Sequence, residues 1–233
     1  MSKIIVLLLG GRKNVGYEIY KVLKNNKNIE LITTTSRKLE GYLQIDLLQN
    51  QIEDVIDFTP NYIIDCTKGK NYNDSIKIFK NVLNYVSKHK CKYIYFSSWV
   101  TQFKNKNLDW YTKYKLFAEK KIQEKDIECY ILRPSLIINN KNLLWDKILS
   151  RFEFIKFMIV PLRLYIINIE TICNEINSII LSDNSSNRKY KKNKCTIIDM
   201  YGDKQNTYLY KSNFTNILQI STILYIVYKY RTR

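Results

Sequence analysis

The sequence predicts an α/β protein built on an open, doubly wound parallel sheet, and three observations carry that expectation. The first element, Lys3-Ile4-Ile5-Val6-Leu7-Leu8-Leu9, is a continuous apolar run of strand length, the pattern of a strand covered on both faces. A glycine-bearing turn, Gly10 to Gly16, follows directly and opens a stretch of helical spacing. Strand-like and helix-like patterns then alternate as far as Leu132, with six strands among them. Such alternation winds right-handed crossovers onto both faces of a parallel sheet.

Each element has a local reason. Val15, Ile19, Val22 and Leu23 recur at helical spacing until the Asn/Lys cluster 25–28 ends the helix. Glu30 to Thr34 forms a second strand that stops at Thr35-Ser36-Arg37-Lys38. Tyr42 to Ile45 is a short strand running into Asp46, and Ile52, Val55 and Ile56 mark a short helix. Asn61 to Cys66 is the next strand, and Ile76, Phe79, Val82, Leu83 and Val86 give a longer helix. Lys92–Phe96 and Glu128–Leu132 are strands separated by a helix over about 110–125. Beyond Pro134 the pattern changes to helices near 143–158 and 170–182, a strand at Thr196–Met200 and an apolar helix from Phe214 to Tyr228. No long linker or internal repeat interrupts the chain, so this tail is expected to cap the sheet's carboxyl edge.

Composition narrows the function classes. The chain of 233 residues is 45% hydrophobic and 13% aromatic, enough for a core and incompatible with wholesale disorder. No apolar run approaches the roughly 18 residues that span a bilayer, and the start lacks a small-residue leader cleavage site. Cysteines 66, 91, 129, 173 and 195 form no CxxC pair, and a single His cannot complete a zinc site with them. A reduced, cytoplasmic protein without a structural metal is the expectation. The formal charge of +17 is shared between residues 1–134 (+9) and 135–233 (+8), so neither half is the basic one. Lys, Asn, Ile and Tyr enrichment runs through the whole chain, and only Arg188-Lys189-Tyr190-Lys191-Lys192-Asn193-Lys194 is densely basic. That cluster follows a Ser/Asn-rich run and reads as a solvated loop, so no nucleic-acid partner is expected.

The turn after the first strand carries the first chemistry. Glycine between a buried strand and a helix lets the backbone approach a pyrophosphate, while the helix N-terminus offers amide donors and positive potential. Gly10 and Gly16 stand where the outer glycines of a GxxGxxG turn belong, Lys13 fills the middle position, and Gly11 compensates in part. Gly10, Gly11, Arg12, Lys13, Asn14, Val15 and Gly16 are therefore candidate cofactor-binding residues of a Rossmann-type, dinucleotide-binding sheet. The end of the second strand chooses between cofactors. A carboxylate there accepts bonds from a ribose 2′-OH, whereas an arginine pairs with a 2′-phosphate. Leu31 to Leu39 holds no carboxylate, and Arg37, with Arg12 or Lys13, favours NADP, with NAD as the other option.

A Tyr four residues before a Lys places both on one helix face, where the ammonium favours phenolate and so proton transfer. The spacing occurs five times in this Tyr- and Lys-rich chain, at Tyr17/Lys21, Tyr20/Lys24, Tyr111/Lys115, Tyr190/Lys194 and Tyr225/Lys229. Position selects Tyr111/Lys115. The strand Tyr93-Ile94-Tyr95-Phe96 ends in Ser97-Ser98 at the sheet edge where open α/β proteins bind ligands, and thirteen residues later Tyr111 opens the next helix.

As an ordered set, the Gly loop, Asp46 before a short helix, the strand ending Ser97-Ser98, Tyr111-xxx-Lys115 continuing into Ala118-Glu119, and the strand ending Arg133-Pro134 resemble the short-chain dehydrogenase/reductase superfamily. The likeness is to its extended and atypical branch of NAD(P)-dependent sugar-nucleotide epimerases, dehydratases and reductases, and it covers about residues 3–135. It implies roles. Tyr111 would exchange a proton with a substrate hydroxyl or carbonyl, Lys115 would assist it and hold the nicotinamide ribose, and Ser98 would orient the substrate oxygen. Asp46 would lie near the adenine, Cys66 would line the cofactor site, and Ser97 and Arg133 would contact substrate. The sequence departs from that pattern at Lys13, at Cys66-Thr67-Lys68-Gly69 in place of small residues, and in a tail of only about 100 residues. Val160-Pro161-Leu162 and the helix after Ile167 resemble the family's Pro-containing strand and its following helix.

Residues 1–135 are thus read as the NAD(P)-binding Rossmann domain with catalytic Ser98, Tyr111 and Lys115, and 136–233 as a short substrate-binding cap. The C-terminal helix is apolar almost all round, with Lys229, Arg231 and Arg233 at its end. Packing on the cap, a homodimer seam and peripheral membrane contact all stay open for it. His89, within Ser87-Lys88-His89-Lys90, is expected on the surface. The implied function is an oxidoreductase or epimerase acting on a nucleotide-activated sugar or related carbonyl or hydroxyl compound, in polysaccharide biosynthesis. The alternative is a non-catalytic NAD(P)-binding regulator or assembly subunit.

Overall fold

The computed structural model describes residues 3–102, 108–138, 163–164, 166–182, 195–200 and 208–209. Strand β1 (Ile4–Leu9) leads to helix α1 (Asn14–Lys24), then β2 (Ile29–Thr35), β3 (Leu43–Gln44), β4 (Tyr62–Asp65), α2 (Tyr72–His89) and β5 (Lys92–Phe96). Helix α3 (Trp110–Gln123), β6 (Cys129–Pro134), β7 (Leu136–Ile138), β8 (Arg163–Leu164), β9 (Ile166–Asn168), α4 (Ile169–Ser182), β10 (Cys195–Met200) and β11 (Tyr208–Leu209) follow. All six strands expected before Pro134 are present. The helix expected around Ile52 is a single 3-10 turn, Ile52–Asp54, held by Gln51 N–H donating to the Asp54 carboxylate. The expected helices at 143–158 and 214–228, the basic cluster 188–194 and Val160-Pro161-Leu162 lie outside the described residues.

Seven strands form one parallel sheet in the order β10-β6-β5-β4-β1-β2-β3. The chain builds outward from β1 in one direction as far as β3, then restarts at β4 on β1's other side. The reversal between β1 and β4 is the topological switch point at which such sheets leave a crevice beyond their carboxyl ends. Separately, β7 pairs in parallel with β9, and β8 pairs antiparallel with β11.

The core explains why the central strands are apolar without interruption. Successive side chains of a strand point to opposite faces. Leu7 and Leu9 join Ile63, Phe79, Val82, Tyr93, Tyr95, Tyr114 and Ile131 under α2 and α3. Val6 and Leu8 join Ile19, Leu23, Ile64, Ile94, Leu132, Ile172, Ile176 and Ile180 under α1 and α4. Both faces of β1 are therefore buried, as a two-sided core requires. Strand β10 pairs along the whole of β6, from Cys195 opposite Cys129 to Met200 opposite Pro134. Together with α4, it makes part of the tail a component of the sheet and its layers. Among the described residues no helix is long and apolar enough to cross a membrane.

Candidate active site

The glycine turn is built by contact. A Cβ on Gly16 would lie 2.4 Å from the Gly10 carbonyl oxygen, so only hydrogen lets α1 approach the end of β1. Gly10 has φ +77° and lies against the Cys66 carbonyl, to which a Cβ would approach within 3.1 Å. A Cβ on Gly11 would strike the Thr33 methyl at 2.2 Å, which binds the turn to the end of β2. Asn14, at φ 52°, takes a left-handed conformation that Asn tolerates better than most residues. Lys13 is the N-cap of α1. Among the described residues no side chain caps it, and the first turn holds no acidic group. The helix thus presents uncapped amides and a positive end where an anionic group can be received. Lys13 and Asn14 are exposed, while Arg12 and Val15 are partly buried.

Arg37 is exposed at the end of β2, its N–H donating to the Thr35 hydroxyl at 3.3 Å. The structure places it on the strand beside the glycine turn, with no carboxylate from 31 to 39. Asp46 is half-buried after β3. One oxygen of its carboxylate accepts from Leu48 N–H at 3.0 Å and its carbonyl accepts from Gln49 and Asn50, so it shapes the turn.

The ends of β4 and β5 carry the next group. Asp65, 1% exposed, accepts from the Tyr93 hydroxyl at 2.8 Å and from Thr67 N–H at 2.8 Å. Next to it Cys66 is half-buried, and desolvation together with the Asp65 charge raises its thiol pKa well above the usual value. Helix α3 opens with Asp109 capping Thr112 N–H at 2.7 Å. That cap fixes the register in which Tyr111 and Lys115 share a face. Lys115 is only 4% exposed, and its ammonium donates to the Phe96 carbonyl at the end of β5. It also lies 4.5 Å from the Tyr95 ring centre and 5.7 Å from that of Tyr111. Lys68 approaches from the loop after β4, 5.5 Å from the Tyr111 ring centre and 5.7 Å from that of Trp110. Tyr111 is half-buried with a cation near it from each of two elements. Ser98 is half-buried at the same edge, its carbonyl accepting from Thr101.

Ser97 and Arg133 come together on a different partner. Glu119, 3% exposed, accepts from the Ser97 hydroxyl, from the Thr101 hydroxyl at 3.1 Å, and from Arg133 Nε and Nη2 at 3.0 and 2.6 Å. Arg133 also reaches Asp199 on β10 at 3.5 Å, and Asp199 accepts from Gln102 at 2.7 Å. In the sequence Glu119 stands out only as part of the motif that follows Tyr111 and Lys115. Its signal was spacing: eight residues after Tyr111 and four after Lys115, it faces inward and needs a cation there. The buried tyrosines Tyr93, Tyr95 and Tyr114 also went unread, because tyrosine is common throughout the chain. Burial holds the pKa of each above the ordinary phenol value. His89 stacks on Tyr85 at 4.2 Å, beside Glu53 at 3.6 Å, away from this edge. The described residues contain no cluster of metal-ligating side chains.

A parallel sheet with its switch point between β1 and β4 and a glycine turn into α1 defines a Rossmann-type α/β architecture, here followed by a Tyr–Lys helix after β5. No family model and no curated protein sequence matches the chain. Solved structures do. A nucleoside-diphosphate-sugar epimerase from Staphylococcus aureus superposes with a TM-score of 0.64 at 13% identity, over 90% of this chain and 74% of that one. A dTDP-4-dehydrorhamnose reductase from Clostridium acetobutylicum gives 0.62 at 16% identity, over 85% and 74%. A human epimerase family protein solved with NADPH gives 0.59 at 8% identity, over 85% and 74%. At these identities the likeness is one of fold.

Proposed function

We propose that the protein is an oxidoreductase or epimerase of the short-chain dehydrogenase type that uses NADP in preference to NAD. Its substrate is a nucleotide-activated sugar or a related carbonyl or hydroxyl compound, in polysaccharide biosynthesis. The observation that carries this reading is the convergence of three strand ends. Gly10 after β1 lies against Cys66 after β4, while Lys115 is fastened to the end of β5 and faces Tyr111. The residues fit a dinucleotide. Gly10, Gly11 and Gly16 let the ends of β1, β2 and β4 and the start of α1 pack where a Cβ would crowd them, no side chain among the described residues caps the α1 amides, and Arg12, Lys13 and Arg37 supply cations for a 2′-phosphate. Asp46 and Cys66 complete the proposed lining. When bound, the nicotinamide supplies the hydride chemistry.

The chain's own part is proton handling and placement. Tyr111 exchanges a proton with the substrate oxygen, and Lys115 and Lys68 favour its phenolate form by Coulomb attraction. The Phe96 carbonyl holds Lys115, so the ammonium keeps its place while the phenol changes charge. Ser98 orients the same substrate oxygen. Arg133 and Ser97, committed to Glu119, support this edge from behind.

Titration with NADPH and NADH by nicotinamide fluorescence, with Arg37→Ala alongside, tests the cofactor half of the proposal. NADPH should bind more tightly than NADH, and the substitution should remove most of that difference. Tyr111→Phe should then abolish turnover of nucleotide sugars while leaving cofactor binding intact. Binding without turnover, unaffected by Tyr111→Phe, would instead establish a cofactor-binding regulator or assembly subunit. Lys68, extended over the Tyr111 and Trp110 rings where the resembled enzymes carry a small residue, is the observation that favours this second reading. Failure to bind either cofactor would sink both.

A further inference from the structure

Five cysteines scattered through the sequence show no pairing, but the sheet brings two of them together. Cys129 begins β6 and Cys195 begins β10, and they are direct register partners in neighbouring parallel strands. Neighbouring strands run about 4.8 Å apart and register partners project from the same face. That spacing lies within the Cα separation, about 4.4–6.8 Å, that a disulfide requires. Both side chains turn to the face under α2 and α3, where Cys195 packs against the cluster that contains Cys129. Both are thiols in this structure.

We propose that Cys129 and Cys195 form a redox-active cross-strand dithiol, a modification site for low-molecular-weight disulfides such as oxidised glutathione. The two members differ in the way an attacking and a resolving thiol must. Cys195 is half-buried and is the more accessible of the two, whereas Cys129 is 1% exposed. The Cys129 S–H is shared with Cys195, which lowers the Cys195 pKa and raises that of Cys129. The Cys195 thiolate attacks one sulfur of the small disulfide, forming a mixed disulfide and expelling one thiolate, which takes up a proton. Cys129 then gives up its proton and attacks the Cys195 sulfur. The protein disulfide forms, and the second small thiolate leaves with that proton. Two protein thiols are oxidised and one small disulfide is reduced to two thiols. The remaining cysteines are not placed for this. Cys66 lies at the opposite, carboxyl edge of the sheet, and Cys173 is buried on the sheet's other face. Cys91, though buried in the same cluster, stands two residues before Tyr93, the register partner of Cys129, and so is not directly opposite it. The product fastens β10 to β6 and so fixes this part of the tail to the sheet. It depends on neither turnover nor cofactor binding, and stands if the proposed activity fails.

The test is incubation of the reduced, natively folded full chain with oxidised glutathione, followed by intact mass and peptide mapping without reductant. The expected product has lost the mass of two hydrogens, and its proteolytic map joins the peptide containing Cys129 to the one containing Cys195, with Cys91 and Cys173 unmodified. Cys129→Ser should stop at a glutathione adduct on Cys195, and Cys195→Ser should leave Cys129 as a thiol. The wild-type measurement needs no variant to fold. Persistence of both thiols, a link from either to another cysteine, or an adduct accumulating on Cys129 instead of Cys195 overturns the proposal.

Discussion

Glu119→Gln tests the buried carboxylate behind the candidate active site with almost no change of shape. One carboxylate oxygen accepts from Ser97, Thr101 and Arg133 Nε, and the other accepts from Arg133 Nη2 at 2.6 Å. An amide can keep its oxygen at only one of these positions. In the better orientation its NH2 group faces Nη2, donor against donor, and the charge that balanced Arg133 is gone. Breaking a buried ion pair from one side costs about 3–5 kcal/mol. The Arg133 side chain is 18% exposed and retains Asp199 at 3.5 Å, which places the expected loss at the lower end, about 3 kcal/mol. For a chain of this size that corresponds to a fall in Tm of about 6–12 °C. Urea unfolding followed by circular dichroism reads the loss directly. A cycle with Arg133→Met separates the pair from its surroundings. Because Asp199 is partly exposed and keeps its bond from Gln102, it can lose Arg133 cheaply, and the combination Glu119→Leu/Arg133→Met should recover most of the stability. A Glu119→Gln protein within about 0.5 kcal/mol of the parent, or single effects that simply add, would refute the assignment of Glu119 as the hub that Arg133 needs.

Three further outcomes are expected. Gly16→Ala, whose methyl would lie 2.4 Å from the Gly10 carbonyl, must open the turn, and NADPH affinity measured by fluorescence should fall at least about tenfold. Lys68→Met removes one of the two cations near the Tyr111 ring, so the phenol should ionise at higher pH than in the parent. The tyrosinate absorbance difference between Lys68→Met and Lys68→Met/Tyr111→Phe reports that pH, and an unchanged midpoint would remove Lys68 from the site. Burial raises the Cys91 and Cys173 thiols to about 11 in the fold. Raised folded-state values mean that the native protein holds protons the unfolded chain releases, so this contribution is complete below pH 9 and is lost as pH climbs from 9 to 11. Each thiol is worth about 2–3 kcal/mol over that window. Thermal scans at pH 8 and 10.5 should show the decline, and Cys91→Ala/Cys173→Ala should make it shallower, the remainder belonging to Cys66 and the buried tyrosines.

Most of the sheet could be read from the residues because its signals are local. A strand covered on both faces has to be apolar at every position, and Ile4 to Leu9 says so without reference to anything else. The glycine turn was legible for a similar reason, since close backbone approach excludes every other side chain at Gly16. Pairings between distant segments left no such mark. Nothing in Cys195-Thr196-Ile197-Ile198-Asp199-Met200 says that it will lie beside β6, because a parallel partner is chosen by packing. Ser97 and Arg133 carried the chemistry of substrate contacts, and only three dimensions show them turned to Glu119. Tyrosine was unreadable in the opposite sense. It is so common here that Tyr93, Tyr95 and Tyr114, fully enclosed under α2 and α3, looked no different from the exposed Tyr17.

Strand β10 sets a condition on the order in which the molecule can be completed. Its partner β6 ends at Pro134, and sixty residues intervene before β10 begins at Cys195. At translation rates of about 5–20 residues per second, a growing chain carries β6 with that edge unpaired for about 3–12 s. The exposed edge reads Cys129-Tyr130-Ile131-Leu132, an apolar row of unsatisfied amides and carbonyls of the kind that recruits strands from other chains. The late strand therefore acts as a latch on the newborn sheet. Ribosome-bound chains halted near residue 180, with β6 outside the ribosome and β10 not yet made, should capture β-rich aggregates that chains halted well beyond residue 200 do not.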